Sequence, residues 1–195
     1  MLKPPAYDKI QKPLLHPPTY VTYKDKRFLI IDTPSINNMS RYLKEFERWN
    51  VTDVVRCCKA AYSQNLLTEK GIQVHDWFFS DGEFPPQMII DHWLRLIDSR
   101  FNKMIAQDVK DEEKTDDSND DEPKKPCIAA HCVAGLGRAP ILIAIALIEE
   151  GMDPLESVEF IRKRRQGAIN NKQLKYIENY KKRKRREGQV SCCIS

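Results

Sequence analysis

The stretch His131-Cys132-Val133-Ala134-Gly135-Leu136-Gly137-Arg138-Ala139-Pro140 separates a cysteine from an arginine by five residues, two of them glycine. Such a segment can curl around a tetrahedral dianion. Glycine allows positive φ and close approach, so successive N–H groups can converge as an anion-binding nest. Pro140 suits the first turn of a helix over Ile141–Ile148, whose positive dipole end would point at the same spot. Cys132 in that field is favoured as the thiolate, a nucleophile at neutral pH. Arg138 supplies a planar fork for two phosphate oxygens at once, and Val133 to Gly137 supply amides. His131, beneath the loop, can orient the sulfur through backbone or ring hydrogen bonds. A buried, inert cysteine before an ordinary glycine turn is the plain alternative. Chance would place these four residue types at this spacing in fewer than about one such chain in a thousand.

The surrounding pattern predicts what holds this loop. Cys127 to His131 reads as the strand that enters it, and the all-apolar Ile141–Ile148 helix should be buried on every side. Tyr20 to Ile31 reads as two short strands about a Lys24-Asp25-Lys26 turn. Ile36, Met39, Leu43, Phe46 and Trp49 recur at helical spacing ahead of a strand over Asp53–Cys57. Gly71–Trp77 is the next strand, and Ile89, Trp93, Leu96, Ile97, Phe101 and Met104 mark another helix. Asp153-Pro154-Leu155-Glu156 and Asn170 with Gln173 are helix starts, the second following a stop at Gly167. Strands alternating with helices predict an α/β fold with a mainly parallel twisted sheet and helices on both faces. Ligands of such sheets bind beyond the carboxyl ends of the strands, where Cys132, Cys58 and Asp81 fall.

A chain of 195 residues suits one domain with tails, here a domain over 20–180. Residues 1–19 carry Pro4, Pro5, Pro13, Pro17 and Pro18 and form an extension. Residues 107–125 hold nine acidic side chains and one apolar residue, Val109, and read as a solvated insertion. The net charge is only +4 and the charges are segregated, which argues against nucleic acid as a partner. The six cysteines show no disulfide framework and no Cys-x2-Cys metal spacing, so neither a cofactor nor a metal is expected. The longest apolar run is far short of the ~20 residues that span a bilayer.

The string HCVAGLGRAP resembles the cysteine-dependent protein tyrosine phosphatases, and within them the phosphatases of regenerating liver. Val21-Thr22-Tyr23-Lys24 with Arg27-Phe28-Leu29-Ile30, Val55-Arg56-Cys57-Cys58 and Cys192-Cys193-Ile194-Ser195 are similar to that subgroup as well. The resemblance implies the cysteine-phosphatase fold and hydrolysis of phosphoprotein monoesters through a phosphocysteine. It implies Asp81 as the general acid in Trp77-Phe78-Phe79-Ser80-Asp81-Gly82, although Phe78 and Ser80 replace the usual proline and aspartate. The plain alternative for Asp81 is a turn residue before glycine; the acid role is favoured, with Asp76 in reserve. The resemblance also implies a redox disulfide between Cys58 and Cys132; read alone, Cys58 is as readily a small core residue.

Ala139 stands where most tyrosine phosphatases carry a hydroxyl that stabilises the departing thiolate, so breakdown of the intermediate should be slow. That opens a second reading, a binding module whose pocket grips a partner. By resemblance the partner is a magnesium-transport mediator with paired cystathionine-β-synthase domains. Association with a second copy of the chain is left open. Val133, Ala134 and Leu136 bring no charge to the pocket floor, which favours phosphotyrosine over multiply phosphorylated inositol lipids.

The last four residues fit a prenylation box, with farnesyl expected on Cys192. One lipid anchors weakly. Lys181, Lys182, Arg183, Lys184, Arg185 and Arg186 supply a second attraction of about 1 kcal/mol each near an anionic leaflet. Together they predict attachment to the cytoplasmic face of plasma and endosomal membranes, with cytosol or nucleus as the unprenylated alternative.

Overall fold

A computed structural model describes residues 14, 16–59, 62–102 and 125–183. Most of the proline-rich extension, insertion residues 107–124, and Lys184, Arg185, Arg186 and Cys192 lie outside the described residues.

Strand β1 (Thr19–Tyr23) and strand β2 (Lys26–Ile31) form an antiparallel hairpin whose turn carries Lys24 at φ 52°. Helix α1 (Met39–Arg48), strand β3 (Val51–Arg56), the single-turn helix α2 (Asn65–Thr68) and strand β4 (Gln73–Asp76) follow. Helix α3 (Gln87–Ile97) runs into a π-helical turn, and strand β5 (Cys127–His131) leads to α4 (Arg138–Glu149), α5 (Pro154–Arg162) and α6 (Asn171–Glu178). The sheet order is β1-β2-β5-β3-β4, parallel from β2 to β4. The functional strand is therefore central. All five residues of β5 are buried: Ile128 and Ala130 join the core under α3 to α6, while Cys127 and Ala129 join the core under α1 and α2. A strand covered on both faces needs an uninterrupted apolar run.

Helix α4 meets its expectation, since every residue from Arg138 to Glu149 is buried. Trp93 of α3 clamps it by donating Nε1–H to the Leu142 carbonyl at 2.7 Å. The helix starts also behave as read. Asp153 accepts from the amides of Leu155 and Glu156, and Asn170 and Gln173 form a reciprocal capping box. The start of α1 differs. The Ser35 amide donates to the Asn38 side chain at 2.7 Å, so a turn delays α1 until Met39. Ile36 is left 70% exposed, and Met39, Tyr42 and Phe46 make the inner face. Helix α2 went unread because a single turn is too short to show a period.

Candidate active site

The phosphate loop joins the end of β5 to the start of α4, and its backbone carbonyls are each accounted for. Cys132 O accepts from the Thr33 hydroxyl, and Val133 O accepts from the Thr33 amide at 3.0 Å. Ala134 O accepts from Arg165 Nη2 at 3.0 Å, and Gly135 O from Arg165 Nε at 2.6 Å. Leu136 O accepts from the Ile169 amide at 2.7 Å, and Gly137 O from the Ile141 amide at 3.1 Å. In a trans peptide the N–H points opposite to the C=O. Six carbonyls tied outward therefore turn the amides of residues 133 to 138 toward the other side. Gly135 makes the sharpest bend, at φ +66°; a Cβ there would lie 2.6 Å from Ile31 O and 2.5 Å from Arg165 Nη2.

The amide side of the loop is a cup of about 360 Å³ lined by Cys132, Val133, Ala134, Leu136, Gly137, Asp81 and Asn170, among others. Cys132 is 2% exposed at its base. Arg138 is held on one side only, where Nη1 donates to Cys57 O at 3.4 Å and Phe79 O at 3.3 Å. Its Nε lies 3.2 Å from Asp81 Oδ1, an ion pair without hydrogen-bond alignment, and is a buried donor with no hydrogen-bond acceptor among the described residues. Such a donor calls for an acceptor. A phosphate oxygen in the cup fits that need.

Asp81 faces the same cup with a side chain 76% exposed, preceding Gly82 at φ +73°. Asp76, the reserve acid, is excluded: Arg56 takes both of its carboxylate oxygens. The β3–β4 register sets Asp76 directly beside Arg56 on one face of the sheet, so its carboxylate is taken before it can reach the cup.

A family model for protein-tyrosine phosphatases matches residues 18–181. The chain belongs to the protein tyrosine phosphatase family. It is 42% identical to a type IVA phosphatase relative from Dictyostelium discoideum, over 90% of this chain and 95% of that one. It is 39% identical to the PRL-1 phosphatase of Drosophila melanogaster, over 94% of this chain and 95% of that one. The solved structure of a Leishmania major protein assigned as a protein tyrosine phosphatase is 37% identical. It superposes at a TM-score of 0.68, over 85% of this chain and 99% of that one. These likenesses put the phosphatase in the type IVA, or regenerating-liver, branch and bear out the α/β cysteine-phosphatase fold.

Around this phosphatase site the remaining expected residues take definite places. His131 is fully buried, its Nε2 at 2.8 Å from the Tyr62 hydroxyl and its Nδ1 at 3.5 Å from Cys132 O. It therefore reaches Cys132 through the backbone and not through the sulfur. Burial pushes its pKa down to about 4, so the ring is neutral. Ala139 is fully buried in the first turn of α4. Cys58 and Cys132 are both free thiols, and the Thr33 hydroxyl touches each residue, at Cys58 Sγ (3.4 Å) and at Cys132 O. Neighbouring Cys57 is buried, and desolvation, then the nearby Cys132 and Cys58, pushes its thiol up.

Of the basic run, Lys181, Lys182 and Arg183 are described and exposed. Arg183 pairs with Asp91 at 3.0 Å, and its amide donates to Glu149 at 3.0 Å. Glu149 ends α4, so the basic run starts at the far end of the helix from the phosphate loop, about 18 Å away at the usual rise.

Sequence reasoning missed Thr33, Tyr62, Arg165 and Ile169. Arg165 sits in Arg162-Lys163-Arg164-Arg165 before Gly167, which reads as a solvated helix end; no spacing sets it apart from its neighbours.

Proposed function

We propose that this phosphatase hydrolyses phosphoprotein monoesters through a phosphocysteine while tethered to the cytoplasmic face of membranes. The observation that carries the chemistry is the outward binding of six consecutive loop carbonyls. Cys132 Sγ attacks phosphorus, the loop amides and Arg138 hold the non-bridging oxygens, and Asp81 gives its proton to the leaving oxygen. Water then cleaves the sulfur–phosphorus bond. Ala139 offers no hydroxyl to the departing sulfur, so this second step limits turnover. The uncharged Val133, Ala134 and Leu136 favour phosphotyrosine over phosphoinositides.

The tether is farnesyl on Cys192 together with Lys181, Lys182, Lys184, Arg185 and Arg186. Arg183 contributes less to it, because Asp91 and Glu149 already share its charge. When a peroxide oxidises the Cys132 thiolate to a sulfenic acid, the Cys58 thiol attacks that sulfur, forms the disulfide and releases water, a reading supported by the Thr33 hydroxyl that touches both residues.

A second reading keeps the cup and changes its use. The Arg138 Nε that lacks a hydrogen-bond acceptor among the described residues and the missing hydroxyl at 139 suit a pocket that grips a partner's acidic side chain, by resemblance that of the magnesium-transport mediator. One experiment separates the two. The full chain is mixed briefly with an aryl phosphate and its intact mass is read. A phosphoryl group on Cys132, absent in Cys132→Ser together with all turnover, supports catalysis; turnover that survives Cys132→Ser refutes it. A dead Cys132→Ser chain that still retains the transporter supports the gripping role as an additional one.

A further inference from the structure

Arg165 is a buried cation for which the mechanism above has no step. It lies just past the end of α5, 8% exposed, with its own amide donating to Ile161 O at 2.8 Å. Three of its N–H groups have fixed acceptors: Gly135 O at 2.6 Å, Ala134 O at 3.0 Å and Thr19 Oγ1 at 3.1 Å. Removing this guanidinium from water is costly, and Asp32, Cys132 and Tyr42 are the neighbours whose charge favours it. Gly135 makes room for it, since a Cβ at 135 would meet Arg165 Nη2 at 2.5 Å.

We infer that Arg165 is a positioning residue for phosphate recognition, acting through the peptide planes of 134–135 and 135–136 without touching the substrate. This inference rests on the phosphatase reading of the cup. Drawing the carbonyls of Ala134 and Gly135 to one side turns the amides of Gly135 and Leu136 to the other, into the cup. Without the guanidinium, both carbonyls lose their donors, the buried one of Gly135 and the half-buried one of Ala134. Either plane can then flip and present an oxygen to the dianion. Lysine cannot replace the arginine: a point charge on a flexible stem does not reproduce a planar fork that reaches two successive carbonyls and Thr19.

The test uses the full chain and orthovanadate, an anion that needs the nest but no turnover. Arg165→Ala should weaken vanadate binding roughly tenfold to a hundredfold, with a similar fall in kcat/KM for an aryl phosphate. Millimolar guanidinium should restore part of that loss. Arg165→Lys should remain impaired, and it also serves if the alanine variant does not fold. Arg100→Met removes a cation that pairs with Asp53 away from the loop; it should lower stability, leave vanadate affinity within about threefold, and show no guanidinium rescue. A folded Arg165→Ala or Arg165→Lys chain that binds vanadate like the wild type overturns the inference, as does a loss that Arg100→Met matches. If the wild-type chain itself fails to bind vanadate, the phosphatase reading falls instead.

Discussion

The phosphate loop and the acid loop meet over one cup, yet they are held in different ways. The phosphate loop is fixed through its own backbone: every carbonyl from Cys132 to Gly137 has a donor, and the loop runs between the fully buried β5 and the fully buried α4. The acid loop is fixed from outside, by α6. Asn170 Nδ2 donates to Gly82 O at 3.1 Å, Gln173 Nε2 donates to Glu83 O at 2.8 Å, Lys172 pairs with Glu83, and Phe84 stacks on Tyr176 at 4.5 Å. Phe78, where the family usually has proline, is 51% exposed and contributes little to that hold. A pre-formed nest suits a charge that is present throughout the reaction. A tethered loop with a hinge at Gly82 suits a proton that is needed once per bond broken.

The largest effect should come from breaking the rigid member. Gly135→Ala adds a Cβ where Ile31 O and Arg165 Nη2 already stand, at a φ that side chains rarely adopt. The loop must move, and the expected outcome is a fall in kcat/KM of at least about a hundredfold with loss of vanadate binding. A Gly135→Ala enzyme within a few-fold of wild type would mean that the loop is not pre-formed. The tethered member should respond more selectively. Asp81→Asn should slow hydrolysis roughly a hundredfold for substrates with poor leaving groups, and much less for nitrophenyl esters, whose oxygen departs without a proton. Vanadate affinity should stay near wild type. An equal loss on all substrates would assign Asp81 to binding, through its ion pair with Arg138.

The same contrast explains what could be read in the sequence. Cys132, the two glycines and Arg138 are contiguous, and the strand before and helix after them are uninterrupted apolar runs, so the nest and its place in the sheet were legible. Asn170 and Gln173 were legible as a helix cap because capping is local. Their grip on Gly82 and Glu83, about 90 residues away, was not. Arg165 and Thr33 reach the loop only through the tertiary fold, and neither residue type advertises such a role. Asp76 was read as a spare acid because a carboxylate's partner cannot be seen until β3 and β4 are paired, which sets Arg56 against it.

The smallest effect probes what lies beneath the phosphate loop. His131 is neutral in the fold because burial holds its pKa at about 4, against an ordinary value of 6.5. The unfolded chain therefore takes up this proton first as the pH falls. Its contribution to stability is complete above pH 6.5 and is lost progressively between pH 6.5 and about 4, reaching about 2 kcal/mol at pH 5. Asp53, buried on the interior strand β3, titrates in a different window. Burial alone would raise its pKa, but hydrogen bonds from His75, Arg100 and Thr52 outweigh this and lower it from 3.8 to about 2. Its support persists to pH 3.8 and is lost only between there and about 2. Denaturant unfolding from pH 7 to pH 5 should thus show stability falling on account of His131 while the Asp53 cluster still holds. In His131→Gln, which keeps a polar group near Tyr62 but cannot titrate, stability at pH 7 should be lower and its slope toward pH 5 flatter. A slope identical to wild type would show that the acid sensitivity originates away from the phosphate loop.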